Sequence, residues 1–255
     1  MSSSKYMNNF DLDEYRAKLV KDKKIEELIK TYNYAYELEN PNTKKFWNKK
    51  IERITTFEEL DPMSKDRIIH AVKMINGEKG EILDLGFGNG YFEQKLTDKN
   101  KNFKLYGIDV SSVAVARAKK RYGNNFLLGS ISKLNFHDNV FDFVVSLECL
   151  EHVPSNKIFE TLREVRRVLK KDGKIIFSIP INEKYSQKFN PNNHLRRYTK
   201  ELFIQELILA GFKVEKTMQF YAFSSLYHLK KLLQLFFPNK WRPNILLVKG
   251  STVTL

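Results

Sequence analysis

The chain has 255 residues, 42% hydrophobic and 13% aromatic, which suits one large domain with its own core and argues against wholesale disorder. Its one cysteine, Cys149, excludes an intramolecular disulfide framework and a multi-cysteine zinc site, and no apolar run reaches membrane-spanning length. A formal net charge of +14 favours anionic partners such as nucleic acid, phosphorylated metabolites or anionic lipid, yet no RNP-type, zinc-finger or basic-zipper pattern accompanies it.

The N-terminus, "MSSSKYMNNFDLDEY", is polar without an apolar h-region, and the expectation is a cytoplasmic protein. From about residue 11 to 75 the pattern is helical. Asp11 and Glu14 make a capping-box-like start, followed by Leu12, Tyr15, Leu19, Leu28 and Tyr32 at helical spacings. Thr43 is placed to cap a second helix carrying Phe46, Trp47, Ile51 and Ile54. Asp61-Pro62 opens a third, with Ile68, Ile69, Val72 and Ile75 on one side, before Gly77 and Gly80 break the pattern. This reading gives an N-terminal helical cap over residues 1–76 and a second domain over 77–255.

Strands and helices then alternate. "EILDLG", "KLYGIDV", "FLLGS", "VFDFVVSL" and "KIIFSIP" read as strands, separated by helices that begin at "FEQKL", "SSVAVARAKKRY" and "NKIFETLREVRRVLKK", the last stopping at Gly173. "YTKELFIQELILAGF" reads as a helix, "KVEKTMQF" and "NILLVKG" as strands. The expected fold class is α/β: a Rossmann-like doubly wound sheet, mainly parallel with an antiparallel last strand. Between the last two strands an insert over 219–243 carries Leu226, Leu229, Leu232, Leu233 and Phe236 as an apolar stripe beside Lys230 and Lys231. Such a helix packs on the domain or on a second subunit, or rests on an anionic membrane surface through 222–237.

The chemistry concentrates after the first of these strands, in "EILDLGFGNGYF". Ligands of open α/β sheets sit beyond the carboxyl ends of the strands, and Gly86, Gly88 and Gly90 remove side chains that would hold a ligand away. The helix that follows offers free N–H groups suited to a carboxylate or phosphate. A dinucleotide fingerprint would want glycine where Tyr91 stands, and no Gly-Lys-Ser/Thr follows for a phosphate loop. Asp109, ending the second strand, suits both hydroxyls of a ribose, or alternatively caps the next helix.

Together "ILDLGFGNGYF", "LYGIDVS", "NVFDFVVSLECLEHVP", "LREVRRVLKKDGKIIFSIP" and "HLRRYTKELFIQELILAGF" resemble a class I S-adenosylmethionine-dependent methyltransferase, over roughly residues 78–220, in the broad group with quinone, sugar and other small-molecule acceptors. "NTKKFWNKK" also resembles the cap segment of these enzymes. The resemblance implies S-adenosyl-L-methionine as cofactor and S-adenosyl-L-homocysteine as product. It places the methionine moiety against Gly86, Gly88 and Gly90 with Asp84 near its amino group. The ribose falls on Asp109 and the adenine beside Val110 and Ile131, with Phe87, Ser130 and Leu147 completing the cofactor-binding set. Many relatives carry an acid after the glycine that ends the third strand; here Gly129-Ser130 stands there, so that contact to the adenine is either weaker or made by the backbone.

Methyl transfer from a sulfonium is an in-line displacement that needs the nucleophile held about 3–3.5 Å from the methyl carbon and water kept out. "SLECLEHVP" would face that methyl, which makes His152, Glu148 and His194 the candidate catalytic residues, His152 as general base or hydrogen-bonder to substrate. Glu148, Glu151, His152 and His194 form an alternative set of divalent-metal ligands, an arrangement similar to that of some quinone O-methyltransferases and RNA-terminal 2′-O-methyltransferases. The non-metal reading has Glu148 contacting cofactor and Glu151 capping the next helix. Arg196 and Arg197 either bind a phosphate or carboxylate, or pair with the following helix. Cys149 lacks the preceding proline of the pyrimidine-C5 nucleophile, and His70, His137 and His228 are given no chemistry. Trp47, Tyr198 and Phe223, with Tyr32, Tyr34 and Tyr185, line the acceptor pocket or belong to the core. The leading expectation is an O-methyltransferase of a small-molecule acceptor, anionic in character: a sugar, a quinone-like compound or a lipid-linked metabolite. An RNA 2′-O-methyltransferase with a metal-assisted site is the alternative, and a cofactor-binding regulator without catalysis the third.

Overall fold

A computed structural model describes residues 40–253 apart from 54, 55, 76, 78, 101, 185–191, 224, 238 and 239. The first expected helix, Tyr32, Tyr34, Ile54 and Tyr185 therefore lie outside the described residues. The other two N-terminal helices form as their caps foretell. In α1 (Lys44–Arg53) the Phe46 N–H donates to Thr43 Oγ1 at 3.2 Å, and in α2 (Pro62–Met74) the Ser64 N–H donates to Asp61 Oδ1 at 3.0 Å.

Among the described residues seven strands make one sheet: β1 (Gly80–Leu85), β2 (Phe103–Asp109), β3 (Phe126–Leu128), β4 (Phe141–Leu147), β5 (Leu169–Pro180), β6 (Phe212–Phe220) and β7 (Ile245–Thr252). Their order is β3-β2-β1-β4-β5-β7-β6; the first five run parallel, and β7 lies antiparallel between β5 and β6. Helices α3 (Tyr91–Lys99), α4 (Ser112–Tyr122), α5 (Ile158–Val168), α6 (Lys200–Leu209) and α7 (Tyr227–Phe236) complete the fold. The strand order reverses between β1 and β4, so the crevice at their carboxyl ends opens beside Leu85 and Leu147.

Strand alternation divides the core. Leu83, Leu85 and Val144 face one layer with α5 and α6; Ile82, Phe143 and Val145 face the other with α2, α3 and α4. Ile68, Ala71 and Val72 of α2 are buried in that second layer, so α2 shares the core of the sheet. Among the described residues no helix is long and apolar enough to cross a membrane.

One boundary departs from the sequence expectation. The helix read through Lys171 ends at Val168, and Leu169 already pairs with Phe141 as the start of β5. The register shifts between Phe141 and Phe143, and a Cβ at Gly173 would come within 2.8 Å of Leu169 Cδ2 and 2.9 Å of Lys170 O. Gly173 thus serves a bulge inside a strand, where the sequence reading took it for a helix stop.

Candidate active site

β1 runs into a loop whose glycines, Gly86, Gly88 and Gly90, have φ of +73°, +56° and +72°. The left-handed backbone folds the loop back on itself, and side chains there would be strained. At Gly86 space forbids them as well, since a Cβ would lie 2.4 Å from Cys149 Sγ. The Gly88 N–H donates to Asp109 Oδ2 at 3.0 Å and the Ser111 N–H to Oδ1 at 2.7 Å, so the buried Asp109 ties the loop to the end of β2. Burial pushes the Asp109 carboxyl above the usual carboxylate range while these N–H groups pull it back. Each oxygen retains a second lone pair for a ligand hydroxyl.

A cavity of about 360 Å³ opens over this loop. Of the cofactor residues expected from sequence, Asp84, Gly86, Phe87, Gly88, Asp109, Val110, Ser130, Ile131 and Leu147 line it. Gly90 does not: it precedes α3, where a Cβ would meet the Tyr122 ring at 3.2 Å, and its carbonyl accepts from the Tyr122 hydroxyl at 3.1 Å. Asp84 and Glu93 sit side by side, fully buried. Desolvation and their mutual charge hold Asp84 well above the carboxylate range, and burial raises Glu93 to about 7. A pair so placed keeps a proton at neutral pH.

Beyond β4 the chain turns sharply. Glu148 takes φ +57°, an unusual angle for a residue with a side chain. Its N–H donates to Ser178 O at 3.0 Å, and its Oε1 accepts from Ser178 Oγ at 3.1 Å and pairs with Arg67 Nη1 at 3.2 Å. A second cavity, about 780 Å³, adjoins the first and shares Trp47, Arg67, Glu148 and His152 as a common wall. Lys50, Glu151, Glu183, Lys184, His194 and Arg242 line its far side.

His152 packs edge-on against Trp47 (4.7 Å between ring centroids) and His194 (4.9 Å), with Nδ1 3.2 Å from Asn193 O. Burial, then His194, lowers its pKa to about 3, so it is neutral at physiological pH. With a proton on Nδ1 for that carbonyl, Nε2 carries a lone pair. This Nε2 lies 3.7 Å from Glu151 Oε1, and His194 Nε2 lies 3.9 Å from the same oxygen while its Nδ1 meets Glu183 Oε2 at 2.8 Å. Both Glu151 oxygens are buried and without a hydrogen-bond donor among the described residues, and burial holds the carboxyl well above its usual range. Glu151 therefore does not cap α5.

Of the metal set named from sequence, Glu151, His152 and His194 converge, with one ligand atom from each lying within 4.8 Å of the others. Glu148 is drawn away by Arg67 and Ser178. Arg196 pairs with Glu206 of α6 (2.8 Å), the structural alternative, and both are buried. The sequence reading did not single out Arg67, Lys50, Glu183 or Arg242. Arg67 was visible in principle, because it shares an inward stripe of α2 with the buried Ala71 and Met74.

Residues 83–177 match the protein family described as "Methyltransferase domain". The chain is 30% identical over 171 residues to the uncharacterized protein MJ0638 of Methanocaldococcus jannaschii, covering 67% of this chain and 68% of that one. It is 30% identical over 127 residues to the demethylmenaquinone methyltransferase of Thermotoga maritima, 49% of this chain and 53% of that enzyme, so it spans about half of that relative. Among solved structures, N-methyltransferase NodS from Bradyrhizobium japonicum in complex with S-adenosyl-L-homocysteine superposes with a TM-score of 0.62 at 16% identity, over 83% of this chain and 98% of that one.

Proposed function

The chain belongs to the class I S-adenosylmethionine-dependent methyltransferases, and on that premise we propose that it methylates an oxygen of an anionic small-molecule acceptor seated in the larger cavity. When bound, the cofactor supplies a methyl group activated by a sulfonium. Gly86 and Gly88 would let the methionine moiety approach the backbone, Asp84 would face its ammonium, Asp109 would hold the ribose hydroxyls, and Val110 and Ile131 would flank the adenine. The cradle fits such a group: the Gly86 and Gly88 backbone, the carboxyls of Asp84 and Asp109 and the apolar Phe87, Val110 and Ile131 line one cavity.

The observation that carries the acceptor reading is the shared wall. Trp47, Arg67, Glu148 and His152 border both cavities, so an acceptor in the larger one meets the donor across them. Lys50, Lys184 and Arg242 give that cavity its cationic side. Burial lowers the pKa of Lys50, and an anionic group beside it would raise it again. His152, neutral with a lone pair on Nε2, is suited to accept a hydrogen bond from an acceptor hydroxyl and so orient its oxygen, because a pKa lowered to about 3 makes the ring a weak base. A hydroxyl on a phosphorylated or nucleotide-linked sugar, a quinone-like compound or a lipid-linked metabolite meets these requirements.

A second reading has one observation in its favour. One ligand atom from each of Glu151, His152 and His194 lies within 4.8 Å of the others, and the Nδ1 atoms of the two imidazoles are engaged by Asn193 O and Glu183 Oε2. A divalent cation would satisfy this arrangement and lower the pKa of an acceptor hydroxyl, as a metal-assisted 2′-O-methyltransferase of RNA requires. Transfer of radiolabelled methyl from S-adenosylmethionine into a fractionated cell extract, with and without chelator, separates the two. Chelator-resistant label in the small-molecule or lipid fraction, weakened by Lys50→Met, supports the first reading. Label in RNA that chelation abolishes replaces it with the second.

A further inference from the structure

α7 is turned the opposite way to an ordinary surface helix. Its polar side chains hold it to the body: the Tyr227 hydroxyl donates to Asp66 Oδ2 at 2.7 Å, Lys231 pairs with the same carboxylate, and Gln234 Nε2 donates to the Tyr221 hydroxyl at 2.9 Å. Its apolar side chains point outward. Leu226, Leu229, Leu232, Leu235, Phe236 and Phe237 are 50–72% exposed and form one continuous ridge along the helix and the turn after it. Six large hydrophobes grouped in this way demand a cover.

Charge identifies the cover. From residue 216 to the end the sequence has no aspartate or glutamate, and the insert carries Lys230, Lys240 and Arg242 besides Lys231, which Asp66 holds. Lys240 lies 5.9 Å from the Phe237 ring and 5.1 Å from that of Trp241, and Lys230 lies 5.9 Å from the Phe223 ring, so cations and aromatics border the ridge together. A second copy of the chain meeting it face to face would set like charges against each other. An anionic bilayer provides the acyl boundary for the leucines and phenylalanines, headgroups for the lysines and an interfacial level for Trp241.

We propose that α7, with Phe237, Lys240 and Trp241, forms a reversible docking surface for an anionic lipid bilayer. The two ends of the same insert, at Ala222 and at Arg242–Asn244, line the larger cavity, so docking would set the mouth of that cavity at the membrane. The surface stands independently of the acceptor reading above, because its test measures binding and not turnover.

The experiment is flotation of the full chain with vesicles of phosphatidylcholine alone or mixed with phosphatidylglycerol. The chain is expected to float with the mixed vesicles only, and less as salt is raised. Leu232→Glu and Phe236→Glu should each lower the bound fraction by about tenfold or more, and Lys240→Glu by about fivefold. Unchanged melting temperatures would show that these exposed variants remain folded. Absence of flotation, or equal flotation by wild type and Phe236→Glu, would overturn the proposal. So would a dimer in solution that Phe236→Glu dissociates without any lipid binding, which would assign the ridge to a second copy.

Discussion

At Asp109 a structural demand and the proposed ribose-binding one meet on one carboxylate. It accepts N–H groups from Gly88 and Ser111, which fixes the loop, and it presents its remaining lone pairs to the cavity. Asp109→Ala is expected to weaken S-adenosylmethionine binding about a hundredfold, measured by calorimetry, with Asp109→Asn intermediate because it keeps one acceptor. Normal affinity in the alanine variant would sink the ribose assignment. His152 should behave differently: His152→Ala is expected to leave cofactor affinity intact and to lower kcat by roughly 10²–10⁴-fold. Its own titration offers a separate check. A group lowered to about 3 is unprotonated throughout the physiological range, so the His152 imidazole resonances should hold constant between about pH 5 and 8. A midpoint near 6.5 would show that the ring is not desolvated.

Among the elements, α1 lies at the junction of the two cavities, with Trp47 bordering both. It is fastened at Asn48 and at Ile51. Asn48 Oδ1 accepts the Ser111 hydroxyl at 2.8 Å and Asn48 Nδ2 donates to Ser112 Oγ at 3.2 Å, while Arg117 and Asn89 reach the carbonyl of Ile51. These bonds attach α1 to the start of α4, beside the carboxylate that ends β2. Asn48→Ala should speed cofactor release about tenfold in a stopped-flow trace, through loosening of α1, and leave the unliganded melting temperature within a few degrees. Loss of the whole fold would place Asn48 in the core and not in the closure of the site.

On the scale of the whole molecule, buried acids set the dependence of stability on pH. Asp84, Glu93, Glu148, Glu151 and Glu206 all have carboxyls raised first by burial. A carboxyl whose folded pKa is raised binds more protons folded than unfolded. Its contribution to stability is therefore present below the unfolded pKa and lost as pH rises through the folded one. For Glu93 that window runs from the ordinary value of 4.5 up to about 7. Glu93→Gln, which keeps the shape without the charge, should raise the melting temperature at pH 8 and leave it nearly unchanged at pH 4. Equal shifts at both pH values would mean that Glu93 is not the titrating group.

How much of this was legible in the chain itself follows from the range of the forces involved. Caps, strand alternation and the glycine triplet are local, and so Thr43, Asp61, the β-α alternation and the cavity around Gly86 and Asp109 could be read from sequence. The end of α5 could not, because Leu169 leaves the helix to pair with Phe141, a partner 28 positions away in the chain. Nor could the composition of the site. Glu151, His152 and His194 were nameable as a set with Glu148, but a buried Arg67 from α2 removes Glu148 from it. The apolar stripe of α7 was equally plain in the sequence, and the direction it faces was not. Two contacts to Asp66, more than 160 positions away in the chain, and one to Tyr221 within the insert turn it outward. Sequence determined the local structure around the candidate site residues; tertiary packing decided which of them meet, because desolvation and ion pairing act between groups that only folding brings together.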